Sequence, residues 1–110
     1  MLIAVRTLNV RTAAGQTDLE IRLFKPVEQS GMWVCRYEID WPAGTKKSWG
    51  AGADGIQALL LTLQKIGIEL YTSAYHENGD LSWGPPGKGY GFPVSKNVRD
   101  LLVGDDARYY

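Results

Sequence analysis

The chain has 110 residues, 45% hydrophobic and 11% aromatic, and its 12 Lys plus Arg balance its 12 Asp plus Glu to a formal net charge of zero. That length suits a single domain able to bury about two thirds of its unfolded surface without metal or disulfide support. Both signs of charge are dispersed, so the basic patch that phosphate binding requires is missing and no nucleic-acid partner is expected.

The first residues, Met1 to Arg6, are apolar too briefly for a signal peptide and lack a basic leader and cleavage site. The longest apolar stretch, Ala58 to Leu63, falls far short of the roughly 20 residues that span a bilayer, so no membrane partner is expected. A cytoplasmic domain of bacterial type is the expectation. Residues 17–25 alternate Leu19, Ile21 and Leu23 with Glu20 and Arg22, the period of a strand with one wet face. In the next run Trp33, Cys35, Tyr37, Ile39 and Trp41 share one face and Arg36, Glu38 and Asp40 the other. Turn residues at Ala14-Gly15-Gln16 and Gln29-Ser30-Gly31 make residues 2–11, 17–25 and 32–41 an antiparallel meander. A short fourth strand, Lys46 to Trp49, ends at Gly50-Ala51-Gly52. The lone cysteine, Cys35, has no partner for an internal disulfide and reads as a buried strand residue rather than a nucleophile.

The period then changes. Ile56, Leu59, Leu60, Leu63, Ile66 and Leu70 fall in one stripe at 100° per residue, which predicts an amphipathic helix over 55–71 with Asp54 as N-cap and Gln57 three residues on. Gln57, Gln64, Lys65 and Glu69 occupy the opposite side. Leu61 and Ile68 lie outside the stripe, one heptad apart, and form a candidate interface covered either by the C-terminal segment or by a partner chain. Asn78-Gly79 between Tyr75 and Trp83 predicts a second hairpin. Residues 84–93 form a constrained Gly/Pro loop, and Ser95 caps a short last helix, Lys96 to Val103, ended by Gly104. The sum is an α+β domain: a meander sheet, one long helix packed on it, a second hairpin and a short C-terminal helix.

Catalytic motifs fail on inspection. Gly84-Pro85-Pro86-Gly87-Lys88-Gly89-Tyr90 lacks the Ser or Thr that holds Mg²⁺ in a phosphate-binding loop, and Phe92-Pro93 stands where its helix should start. One His and one Cys are too few for a zinc cage, so neither metal nor cofactor is expected. His76 with Glu77 and Asp80 offers the one acid/base grouping. Aromatics and glycines, by contrast, crowd after the helix: Tyr71, Tyr75, Trp83, Tyr90 and Phe92 fall within 22 residues beside Gly79, Gly84, Gly87, Gly89 and Gly91. Such anchors either plug the end of the sheet or recognise a partner, which makes Tyr75, His76, Glu77, Trp83, Lys88, Tyr90 and Phe92 the candidate ligand- or partner-binding residues.

The segments Asp54 to Leu61, Leu70-Tyr71, Tyr75-His76, Gly79-Asp80-Leu81-x-Trp83 and Gly89-Tyr90-Gly91-Phe92-Pro93 resemble a small bacterial family of one-domain proteins classed as a domain of unknown function. The resemblance covers roughly residues 46–103 and carries over no catalytic residue. The function expected from the residues is a non-enzymatic protein-binding or regulatory module, as a homo-oligomer or with a protein partner, acting through the aromatic loop and the long helix. The alternative is a small-ligand-binding protein or enzyme using His76 in a cleft between hairpin and loop.

Overall fold

Strand β1 (Leu2–Thr12) turns at Ala13-Ala14 into β2 (Gly15–Phe24), with Arg6 opposite Ile21 and Leu8 opposite Leu19. The structure, a computed structural model, describes residues 1–110. Pro26 has no amide to donate, and the chain resumes as β3 (Val27–Gln29) along the same edge of β4 (Met32–Trp41). The pairing slips by one residue across this break, and the Cys35 thiol donates to the Phe24 carbonyl there (3.2 Å). Ser30 and Gly31 join β3 to β4 with φ of 51° and 84°, the left-handed pair that a two-residue hairpin requires. The fourth long strand, β5 (Gly44–Gly52), pairs with β4 from Trp41↔Gly44 to Trp33↔Gly52.

β5 is longer than the Lys46–Trp49 segment read from the sequence, because its glycines are packing residues rather than strand breakers. Helix α1 (Gly55–Tyr71) lies over β4 and β5 so closely that a Cβ on Gly50 would sit 2.3 Å from Thr62 Oγ1 and one on Gly52 2.6 Å from the Ala58 nitrogen. The helix starts as expected, with the Asp54 carboxylate accepting from the Gln57 amide (2.8 Å). Its fully buried stripe, however, begins with Ala58 and Thr62, continues through Ile66 and Gly67, and ends at Leu70 and Tyr71. Ile56, expected to point inward, is 80% exposed, and Leu60 is exposed as well.

The second hairpin does not form. Ala74–Glu77 is a single helical turn, α2, capped by the Ser73 hydroxyl, and Asn78-Gly79 ends it: Gly79 takes φ 75° while the Asn78 and Asp80 amides bond back to the Ala74 and Tyr75 carbonyls. Only β6 (Leu81–Ser82) returns to the sheet, beside Asn9 and Val10 of β1. The last helix also differs. A 3-10 segment, Lys96–Leu101, breaks at Val98, and Gly104 opens rather than ends a helix, α3 (Gly104–Tyr109). The core gathers Leu8, Val10, Leu19, Ile21, Tyr37 and Ile39 of the sheet under Ile66 and Leu70 of α1, with Tyr90, Phe92 and Val94 closing one end. The other sheet face is wet: Arg22 bridges Glu20, Glu38 and Asp40 there. No helix is long and apolar enough to cross a membrane.

Candidate functional site

The Gly/aromatic segment is pinned by Asp106 of α3. This carboxylate, 1% exposed, accepts hydrogen bonds from the Tyr90 amide (2.8 Å), the Gly91 amide (2.8 Å) and the Tyr71 hydroxyl (2.5 Å). A Cβ on Gly89 would lie 2.6 Å from the Asp106 carboxyl carbon, so the close approach requires glycine there. Burial, reinforced by the negative charge of Asp106, pushes the Tyr90 hydroxyl up to about 12, and burial with the Asp106 hydrogen bond raises Tyr71 as well. Burial lowers His76. At neutral pH His76 is therefore uncharged and Tyr90 keeps its proton, and the Tyr90 hydroxyl pairs with His76 Nδ1 while the Leu81 carbonyl lies 3.5 Å from the same hydroxyl.

The residues nominated from the sequence separate into different environments. Tyr90 and Phe92 are buried core residues. His76 and Tyr90 meet at a cleft of about 420 Å³ shared with Leu81, Pro86 and Val103. Glu77 and Lys88 are exposed and stay outside that cleft; Lys88 instead borders a second hollow with Trp83 and Asp105. Tyr75 stacks on Trp41 at 5.6 Å and 13°. Trp83 lies against Arg6, whose guanidinium carbon sits 4.0 Å from its ring centre. Leu61 is exposed, whereas Ile68 is half-buried against the core. No three side chains among His, Cys, Asp and Glu converge as a metal-ligand group.

A different surface emerges on the other side of α1. Because that helix sits over β4 and β5, the inner face of the β1–β2 hairpin is left open near its start, and an apolar groove of about 390 Å³ runs beside the helix. Ala4, Ile21 and Leu23 belong to its sheet side and Leu60, Leu63 and Ile66 to its helix side. Gly91, Phe92 and Pro93 close one end, where a Cβ on Gly67 would lie 2.0 Å from the Pro93 carbonyl oxygen. Arg6 lines that end. Its Nη1 donates to the carbonyls of Tyr90 (3.2 Å) and Gly91 (2.8 Å), and its guanidinium lies over the rings of Trp83 and Phe92. The free edge of β1 borders the groove, since no strand pairs with that edge before Asn9.

A family model described as a domain of unknown function, DUF6968, matches residues 4–94. The chain belongs to this family. No curated protein and no solved structure matches it. The DUF6968 match takes in every residue that lines the groove except Tyr110, and it stops short of Asp106. Sequence reasoning missed both the groove and Asp106. Arg6 left a readable signal, a cation sharing the inward parity of Ala4, Leu8 and Val10; Asp106 left none, being one of two adjacent acids in a short tail.

Proposed function

We propose that this DUF6968 chain is a non-enzymatic binding module that takes an extended apolar segment of a partner protein into the groove between α1 and β1. The observation that carries this reading is the juxtaposition of an unpaired strand edge with an apolar groove: Leu2, Ile3 and Val5 are each 47% exposed beside the opening lined by Leu60 and Leu63. Left unguarded, such an edge is a template for strand addition, and alternate side chains of the added strand need apolar pockets. The chemistry elsewhere favours binding over catalysis. Cys35 is buried with its thiol pushed up by burial, and His76 is neutral and engaged by Tyr90.

A titration with a fluorescein-labelled pool of hexapeptides randomised over Ala, Val, Leu, Ile and Phe tests the reading. Saturable binding is expected for the native chain and at least tenfold weaker binding for Leu60→Asp, whose circular dichroism should be unchanged because Leu60 is exposed. No saturable binding, or equal binding to both proteins, contradicts it. Sedimentation of the native chain distinguishes a second copy as the partner. A second reading rests on the cleft at His76 and Tyr90, which has the size of a small-ligand site. It requires thermal stabilisation by a metabolite that His76→Ala abolishes.

A further inference from the structure

We infer that the segment received by the groove ends in a carboxylate, a partner's C-terminus seated on Arg6. This rests on the groove reading above and adds the identity of the group at its closed end.

Arg6 is a singular residue for its place in the sheet. It occupies an inward position of β1, opposite Ile21, where an apolar side chain would ordinarily complete the face. It takes part in none of the chain's ion pairs. Asp106 is on the far side of the Gly91 peptide: it accepts from the Gly91 amide while Arg6 donates to the Gly91 carbonyl, and its oxygens already take three hydrogen bonds. Only Nη1 of the guanidinium is engaged by protein acceptors. The Nε and Nη2 donors, which together form the side of the fork that grips a carboxylate with two parallel bonds, have no protein acceptor. The guanidinium carbon lies over the Trp83 and Phe92 rings, 4.0 and 4.8 Å from their centres, and these contacts hold the fork in place.

A positive charge so placed beside Gly91 and Phe92 in the lining of an apolar groove is complementary to one kind of occupant, an apolar chain terminated by an anion. The free strand edge makes that chain a polypeptide rather than a hydrocarbon, because backbone amides and carbonyls are what an unpaired edge can bond. A segment whose last residue reaches Arg6 and whose preceding residues lie beside Val5, Ala4 and Ile3 runs parallel to β1. Its side chains alternate between the groove and the wet face, so apolar residues are required at every second position.

The same hexapeptide pool, prepared once as free acids and once as C-terminal amides, separates the two ideas. The inference expects the acids to bind the native chain at least tenfold more tightly than the amides, and the preference to shrink below twofold in Arg6→Gln. Because Arg6→Gln also weakens the loop contact, Ala4→Trp serves as a second variant that fills the groove while keeping the Arg6 side chain in the sequence; it should abolish binding of both pools. Equal binding of acids and amides by the native chain overturns the carboxylate inference and leaves the groove reading standing. Failure of both pools overturns both. Displacement of the acid pool by octanoate at equal concentration shows that the site takes hydrocarbon acids, and overturns the peptide terminus as the occupant.

Discussion

Asp106 pins the Gly/aromatic loop through its backbone. Its charge is buried, yet two backbone amides and a tyrosine hydroxyl satisfy it, the arrangement in which a buried carboxylate is tolerated. Asp106→Asn replaces one acceptor oxygen with an NH2 donor facing a backbone amide that can only donate, and we expect a loss of about 2–4 kcal/mol in guanidinium chloride unfolding. Tyr71→Phe removes one of the three bonds and should cost about 1 kcal/mol. His76 gives a pH signature. Burial holds its folded-state pKa below the ordinary value of 6.5, so on acidification the unfolded chain takes up the proton first. Its contribution is complete above that value and is lost as pH falls through it toward the folded pKa. We expect stability to decline as pH falls below 6.5 and His76→Gln to flatten that slope. Asp40, lowered to about 2 chiefly by its hydrogen bonds with Arg22, belongs to a separate and more acidic window.

Strands β1, β2 and β4 and helix α1 were legible because each follows a single period and carries its own turn or cap chemistry. What misled was punctuation shared by different structures. Asn78-Gly79 supplies left-handed backbone equally well to a hairpin and to a helix end, and Ser73 with its capping hydroxyl selects the latter. Glycine likewise reads as a break, but Gly50 and Gly52 admit α1 against β5. Gly50 has ordinary strand backbone, so Gly50→Ala isolates the steric contact with Thr62 and should cost about 1–3 kcal/mol by thermal unfolding. The helix stripe was correct in period and incomplete in meaning. Ile56 and Leu60 are apolar yet exposed, Leu60 on the groove side of α1, and a periodicity cannot say whether an apolar face meets its own sheet or another chain.

At the scale of the whole molecule, the offset of α1 toward β4 and β5 produces both features that matter: a closed core at the Gly/aromatic end and an open groove along β1. The aromatic cluster that dominates the sequence is divided between core and surface, with Tyr90 and Phe92 buried and Trp83 stacked on the Arg6 that closes the groove. Fold class was readable from the sequence; the groove was not, because it arises from where a helix lands on a sheet, a relation between elements distant in the chain. Amide hydrogen exchange on β1 tests the account most directly. In the free chain the outer-edge amides between Leu2 and Arg6 should exchange rapidly, and saturation with the free-acid peptide pool should slow them at least tenfold while Leu60→Asp shows no change. Exchange in the native chain that is equally fast with and without bound peptide would contradict strand addition at this edge.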